Sequence, residues 1–300
     1  MQWSYDDPIT GERLQALAQT TILTPSILGF HSSLVRTAGH EVVIFRGTHS
    51  DLEPDRTTIN RLRGRRSIFV YSHLLESFVQ RILPHLDHRF VLISHNSDHG
   101  VDDQYRAALD DPRIVHWYAQ NTLIQHPKLT PLPIGVANAQ WGHGDLRALV
   151  SAANAHRGPP RDVVYVNFDV RTNPSVRVPL LHALEPLSLV WKAPALPFAA
   201  YLADMASCRW AISPPGNGVD CHRTWEALYL GIVPVVLKTA SGAGLHDGLP
   251  IIQLPDLADL DSPALQAAEH QVEGGRAQLD RIRMSYWRGR VAQSVEEASR

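Results

Sequence analysis

The stretch S-P-P-G-N-G-V-D-C-H-R-T-W-E-A-L-Y-L-G-I-V-P-V-V-L-K, Ser213 to Lys238, decides how the chain is read: a strand end, a glycine-rich loop, a helix and a second strand follow one another. The apolar Trp210, Ala211 and Ile212 deliver the chain into Pro214, Pro215, Gly216, Asn217 and Gly218, where two residues without Cβ let backbone come close to a ligand. Asp220 is placed to cap the helix that follows. That order is the layout of an anion-binding turn in a doubly wound α/β domain. Arg223 and Glu226, three residues apart, share a face near the positive end of the helix. A guanidinium there suits a diphosphate. A carboxylate one turn deeper would be repelled by phosphates and fits instead the two adjacent hydroxyls of a ribose. The plain alternative is an exposed helical ion pair beside an ordinary proline-glycine turn.

Outward from this stretch, short apolar runs alternate with helical patterns. Val42 to Phe45, Ser67 to Tyr71, Phe90 to Ser94 and Ile114 to Tyr118 are predicted strands, with helices over Leu74 to Leu86 and Asp103 to Leu109. A second series predicts strands at Asp162 to Phe168, Leu187 to Trp191, Trp210 to Ile212, Val233 to Leu237 and Ile251 to Leu254, with helices at Pro174 to Leu184 and Phe198 to Ala206. Such alternation is the mark of parallel sheets covered on both faces. The small, polar Ser151 to Arg161, S-A-A-N-A-H-R-G-P-P-R, is a predicted linker. The expected class is α/β, with an N-terminal Rossmann-like domain over 1–155 and a second over 156–300, ending in a helix-like tail from Ser262. The fragment Gly242 to Gly248 has one residue too many for a dinucleotide fingerprint and reads as a loop.

With 300 residues, 44% of them hydrophobic and 19% charged, the chain can bury one large core or two smaller ones. No run approaches the ~20 apolar residues of a membrane span, and Met1 to Arg13 lacks the basic start and apolar core of a signal peptide, so a cytoplasmic protein is expected. Two cysteines, Cys208 and Cys221, imply no disulfide framework. A net charge of −2 gives no general affinity for nucleic acid. Arg56, Arg61, Arg63, Arg65 and Arg66 form a local basic cluster, read as solvated loop charges or as a site for an acidic acceptor.

The Ser213 to Lys238 stretch resembles the nucleotide-sugar signature of the exostosin-type glycosyltransferases of family 47 and their bacterial and viral relatives: a loop, an R-x-x-E-A-L helix and a G-x-x-P-V strand. The matching residues are Arg223, Glu226, Ala227, Leu228, Gly231, Pro234 and Val235. Trp117 to Asn121 with Leu132 to Asn138, and Val166 to Arg177, resemble the same relatives more weakly. The resemblance implies a GT-B fold, two Rossmann-like domains facing across a cleft, with a terminal helix returning to the first. It implies an inverting, metal-independent transfer of a sugar from a nucleoside diphosphate donor, mostly UDP in such relatives, to an acceptor hydroxyl on a glycan, a lipid-linked molecule or another acceptor. Arg223 would bind the diphosphate and Glu226 the ribose. Neither a cofactor nor a metal is expected. A non-catalytic nucleotide-sugar-binding subunit of a glycan-assembly complex is the competing reading, and a general nucleotide or dinucleotide enzyme a third.

Glycosyl transfer must neutralise the departing diphosphate, and it often needs a base for the acceptor hydroxyl. The first task falls to Arg223, His222, Ser213 and the backbone of Gly216, Asn217 and Gly218. Because strand C-termini face the ligand in open α/β sheets, Thr172, Asn173 and Arg177 are further candidates for the diphosphate or the sugar. By the same rule the loop His95 to Gly100 offers Asp98 or His99 as the base, with Asp51 and His49 as competitors. Trp117, Tyr118, Gln120, Asn121, Pro133, Ile134, Gly135, Asn138 and Trp141 are expected on the acceptor side or between domains. The sixteen histidines show no zinc spacing, and Asp259-Leu-Asp261 lies in the wrong context for a metal clamp.

Overall fold

A computed structural model describes residues 2–30, 40–156, 158–238 and 244–300. Residues 242 and 243 of the glycine-rich fragment lie outside these. Six strands, β1 (Thr20–Leu23), β2 (Glu41–Ile44), β3 (Ser67–Tyr71), β4 (Phe90–His95), β5 (Ile114–Ala119) and β6 (Leu129–Pro131), form one parallel sheet in the order β2-β1-β3-β4-β5-β6. Five more, β7 (Arg161–Val166), β8 (Val190–Lys192), β9 (Cys208–Ser213), β10 (Val233–Leu237) and β11 (Ile252–Leu254), form a second parallel sheet in the order β8-β7-β9-β10-β11. The molecule is α/β, with two Rossmann-like sheets. Central strands such as β3 and β4 are buried along their whole length, whereas the edge strands β6 and β8 are half-buried, as expected where both faces but only one flank are covered. Pro234 is tolerated inside β10 because β11 pairs only from Val235 onward.

The helices used below are α1 (Gly11–Gln15), α2 (Arg56–Leu62), α3 (Leu146–Asn154), α4 (Pro174–Leu184), α5 (Phe198–Ala206), α6 (His222–Tyr229), α7 (Ser262–Gly275) and α8 (Met284–Ser299). The helix expected over Leu74 to Leu86 is instead a chain of short 3-10, α and π turns. Pro84 near its end has no N–H to donate, and Leu83 N reaches back five residues to the Phe78 carbonyl.

The chain divides into two compact units. One gathers Thr10–Ile134 with Met284–Arg300; the other gathers the segment ending at Ile9 with Gly135–Ala240 and His246–Arg283. The division thus falls at Ile134/Gly135 rather than at the expected 155/156. The reason is α3, which takes up the start of the expected linker. Asp145 caps it through Arg147 N and Ala148 N at 2.9 and 3.1 Å, its Leu146 and Leu149 are buried, and it packs on α5 and α6. Gly135 has φ 66, and a Cβ there would stand 2.3 Å from the Ile9 carbonyl oxygen.

The first residues are bound into the second unit. Trp3 exchanges two hydrogen bonds with the Asn154 amide at 2.8 and 2.7 Å and meets Tyr229 edge-on at 5.1 Å. Arg283 lies 4.5 Å over the Trp3 ring and pairs with Asp7 at 2.6 Å. At the other terminus, α8 buries Met284, Trp287, Val291, Ser294 and Ala298, a three-four spacing along one face, against β4 and β5 of the first unit. The Tyr118 hydroxyl donates to one of its carbonyls, Arg290 O, at 3.0 Å.

His116, on β5, is held down to about 4 by burial first and by nearby Arg290 second. Its folded value lies below the ordinary one near 6.5, so the stability it contributes is present above pH ~6.5 and is lost as pH falls toward 4, on the order of 2 kcal/mol. Denaturant midpoints measured across that window should fall with pH, and less steeply in His116→Gln. An equal slope in the variant would remove His116 as the cause.

Candidate functional site

In the second sheet the strand order reverses between β7 and β9, and ligands of open α/β sheets bind beyond the strand C-termini at such a switch point. The loop after β7 carries Phe168 and Asp169, and the loop after β9 carries Pro214 to Gly218, so the sequence-derived candidates converge here. Arg177, expected at the diphosphate or the sugar, is only 4% exposed and is spent on the loops themselves. Its Nε donates to Pro215 O at 2.9 Å, Nη2 to Pro214 O at 3.0 Å and Nη1 to Asp169 O at 2.7 Å. Nη1 also donates to Thr172 Oγ1, and Nη2 reaches Cys221 Sγ at 3.7 Å. Asn173 Nδ2 donates to Gly216 O at 3.1 Å. Thr172, Asn173 and Arg177 therefore shape the loop from beneath. A Cβ on Gly216 would stand 3.0 Å from Arg177 Nη2, so the side-chain-free residue is needed for this packing.

Ser213 is buried and its Oγ accepts from Thr224 Oγ1 at 2.9 Å, pinning the end of β9 to α6. Asp220 does not cap α6 as expected. Its carboxylate turns inward to the Trp225 indole N–H at 2.8 Å and accepts from Cys221 N at 2.8 Å, and the N-cap is Cys221, which makes no side-chain cap bond. The amino-terminal turn of α6 thus keeps its positive end without a capping side chain. Asn217 is exposed at the loop tip, and Gly216 N donates to Gly218 O at 3.1 Å. His222 opens α6, and its Nδ1 meets the Gly135 carbonyl at 2.7 Å. A carbonyl only accepts, so that nitrogen carries the proton.

Arg223 is half-buried and forms no hydrogen bond or ion pair among the described residues; its Nε is buried without a partner. It does not pair with Glu226, which disposes of the exposed helical ion pair. Both guanidinium groups, those of Arg177 and Arg223, lie over the Phe168 ring, at 5.5 and 5.9 Å from its centre. The nearby Asp169 carboxylate is engaged by Arg171 at 2.6 Å. Glu226 is 3% exposed, burial pushes its pKa up, and its Oε2 accepts from the Tyr201 hydroxyl at 2.7 Å. Arg223, which acts on the buried Glu226 through its charge but makes no hydrogen bond to it, and the uncapped start of α6 make this end of the sheet a candidate oxyanion site.

The first sheet switches between β1 and β3. His73, just past β3, stacks on His49 with ring centres 4.3 Å apart and lies 6.3 Å from His99. Burial first, then the other two imidazoles, hold His73 down to about 4, and its Nε2 is buried without a hydrogen-bond partner. Asp98 and His99 are exposed, with His99 Nδ1 3.0 Å from Ser97 Oγ. Asp51 is committed to Ser77 Oγ at 3.0 Å and Arg81 at 3.3 Å. Sequence reading passed over His73, although the strand-end rule applied to Tyr71 would have found it.

Trp117, Tyr118, Gln120 and Asn121, expected on the acceptor side or between domains, are buried in the first unit; of that block only Trp141 is widely exposed, at 49%. In the basic cluster, Arg61 and Arg65 share Glu41, and Arg66 donates to the Arg89 and Ala298 carbonyls. A recess of about 500 Å³ lined by Asp162, Arg209, Gly231 and Glu269 lies at the amino-terminal edge of the second sheet, the opposite end from the oxyanion site.

No family model matches the chain, and no curated protein is similar to it in sequence. Its neighbours among solved structures are glycosyltransferases. A Streptomyces sp. SF2575 glycosyltransferase, SsfS6, has a TM-score of 0.43 and 13% identity over 89% of this chain and 95% of that one. The spinosyn rhamnosyltransferase SpnG, complexed with thymidine diphosphate, has 0.38 and 14% over 93% and 96%. The glycotransferase of kitacinnamycin has 0.38 and 12% over 96% and 93%.

Proposed function

We propose that the chain is an exostosin-like, inverting, metal-independent glycosyltransferase that moves a sugar from a nucleoside diphosphate sugar, UDP-sugars foremost, to an acceptor hydroxyl. The observation that carries this reading is Arg223: a guanidinium with no hydrogen-bond partner among the described residues, at the uncapped start of α6 and at the switch point of its sheet. The departing diphosphate would be neutralised by Arg223 and the α6 N–H groups, on a loop held in shape by Arg177. Glu226 would accept from the donor ribose. Asp98 or His99 of the first unit would take the acceptor proton. No helix among the described residues is long and apolar enough to cross a membrane, which agrees with a cytoplasmic enzyme.

Calorimetric titration with UDP, GDP and CDP, with and without EDTA, is the test. One nucleotide is expected to bind with an affinity that EDTA leaves unchanged within about twofold, ~0.4 kcal/mol. Loss of binding in EDTA would end metal independence, and binding of none would remove the donor site.

A further inference from the structure

One carboxylate oxygen of Glu226 already has a partner within the protein. Oε2 already accepts from the Tyr201 hydroxyl at 2.7 Å, the residue is 3% exposed, and among the described residues no second hydrogen bond reaches the carboxylate. Tyr201 is held where it is. It sits on α5, stacked on Phe198 with ring centres 6.0 Å apart and packed 5.9 Å from Tyr165. Burial pushes its own pKa well up, so the phenol keeps the proton that it gives to Oε2. A ribose grips a carboxylate most firmly when each of its two neighbouring hydroxyls donates to a different oxygen. Here the tyrosine has already taken a lone pair of one of those oxygens, on a residue with only 3% of its surface open.

Resting on the donor site proposed above, we infer that Glu226 reads one ribose hydroxyl only. Tyr201 occupies the position that the other would take, so the site accepts nucleoside diphosphates that lack that second hydroxyl. The substrate class widens accordingly, from ribonucleotide donors to donors deoxygenated at one of the two positions. Specificity then rests on the oxyanion site and a single hydroxyl contact.

The experiment compares UDP with 2′-deoxy-UDP and 3′-deoxy-UDP by calorimetry on the full chain. One deoxy analogue should bind within about threefold of UDP, and the other at least about tenfold more weakly, the loss of one hydrogen bond to a charged group. In Tyr201→Phe, which keeps the ring packing, Oε2 is freed for the second hydroxyl. UDP should then bind at least about fivefold more tightly than the previously tolerated analogue. Two strongly weakened analogues in the wild type would mean that both hydroxyls are read, and two unweakened ones that neither is. Either result overturns the inference, as does a Tyr201→Phe protein with an unchanged ratio. The wild-type comparison decides even if that variant does not fold. Failure of UDP and both analogues to bind would instead bring down the donor site itself.

Discussion

Replacing Arg223 with alanine is expected to lower kcat/KM for sugar transfer by about two to three orders of magnitude while leaving the folded protein as stable as before. The first half follows from position. A cation aimed at charge that builds up on a leaving group acts in a site where it has no competing partner, and removing one such donor costs roughly 3–4 kcal/mol of transition-state stabilisation. The second half follows from what Arg223 lacks: it makes no hydrogen bond or ion pair among the described residues, so the substitution breaks none. It relieves repulsion with Arg177, whose pKa burial first and Arg223 after it help to lower, and gives up attraction to the buried Glu226, so the two electrostatic changes oppose one another. A melting temperature within about 3 °C of the wild type is expected, because little more than ~1 kcal/mol is at stake. Transfer within threefold of wild type would refute the site, and a large fall in melting temperature would show Arg223 to be structural.

Arg177→Met should behave in the opposite way. The guanidinium holds the carbonyls of Asp169, Pro214 and Pro215, and its removal leaves them only the weaker donors Thr172 Oγ1, Cys221 Sγ and Asn173 Nδ2. A loss of about 2–3 kcal/mol is expected, the scale of losing charge-assisted hydrogen bonds whose acceptors keep a weaker donor. Chemical denaturation followed by tryptophan fluorescence would show it as a lower midpoint at unchanged slope. Nucleotide binding should fall as well, since the loop that Arg177 supports would relax. If Arg177→Met unfolds like the wild type yet loses nucleotide, Arg177 contacts ligand and the supporting role assigned to it is wrong.

The contrast between these two arginines marks the limit of what was legible in the sequence. A glycine-rich loop between an apolar strand and a helix is a local pattern, so the placement of Arg223 could be read directly. Pro174–Leu184, Phe198–Ala206 and Val233–Leu237 were likewise bounded by local signals. Arg177 looked equally suited to phosphate, because nothing local says that three carbonyls from two distant loops will surround it. Asp220 looked like a helix cap until the Trp225 indole, five residues on, claimed its carboxylate. The strand T-T-I-L, Thr20–Leu23, is half polar and shows no apolar run, yet it lies inside its sheet, between β2 and β3, with both threonines buried. Without it the switch point of the first sheet could not be located, although the end of β3, which leads to His73, could be. The division at Ile134/Gly135 depends on helix α3 choosing its neighbours, a long-range matter on which linker composition is silent.

The anchoring of Trp3 bears on how the protein is made. Trp3 is translated long before the residues that hold it, Asn154, Tyr229 and Arg283, emerge in turn. The second unit cannot close around the Trp3 segment until Arg283 has been made. The first unit likewise waits for α8 before β4 and β5 are covered. Neither half is therefore a vectorially completed module. A gene cut near codon 155 would yield one fragment with a bare sheet face and another missing its anchor, and a helper chain that shields such surfaces would have both to attend to at once.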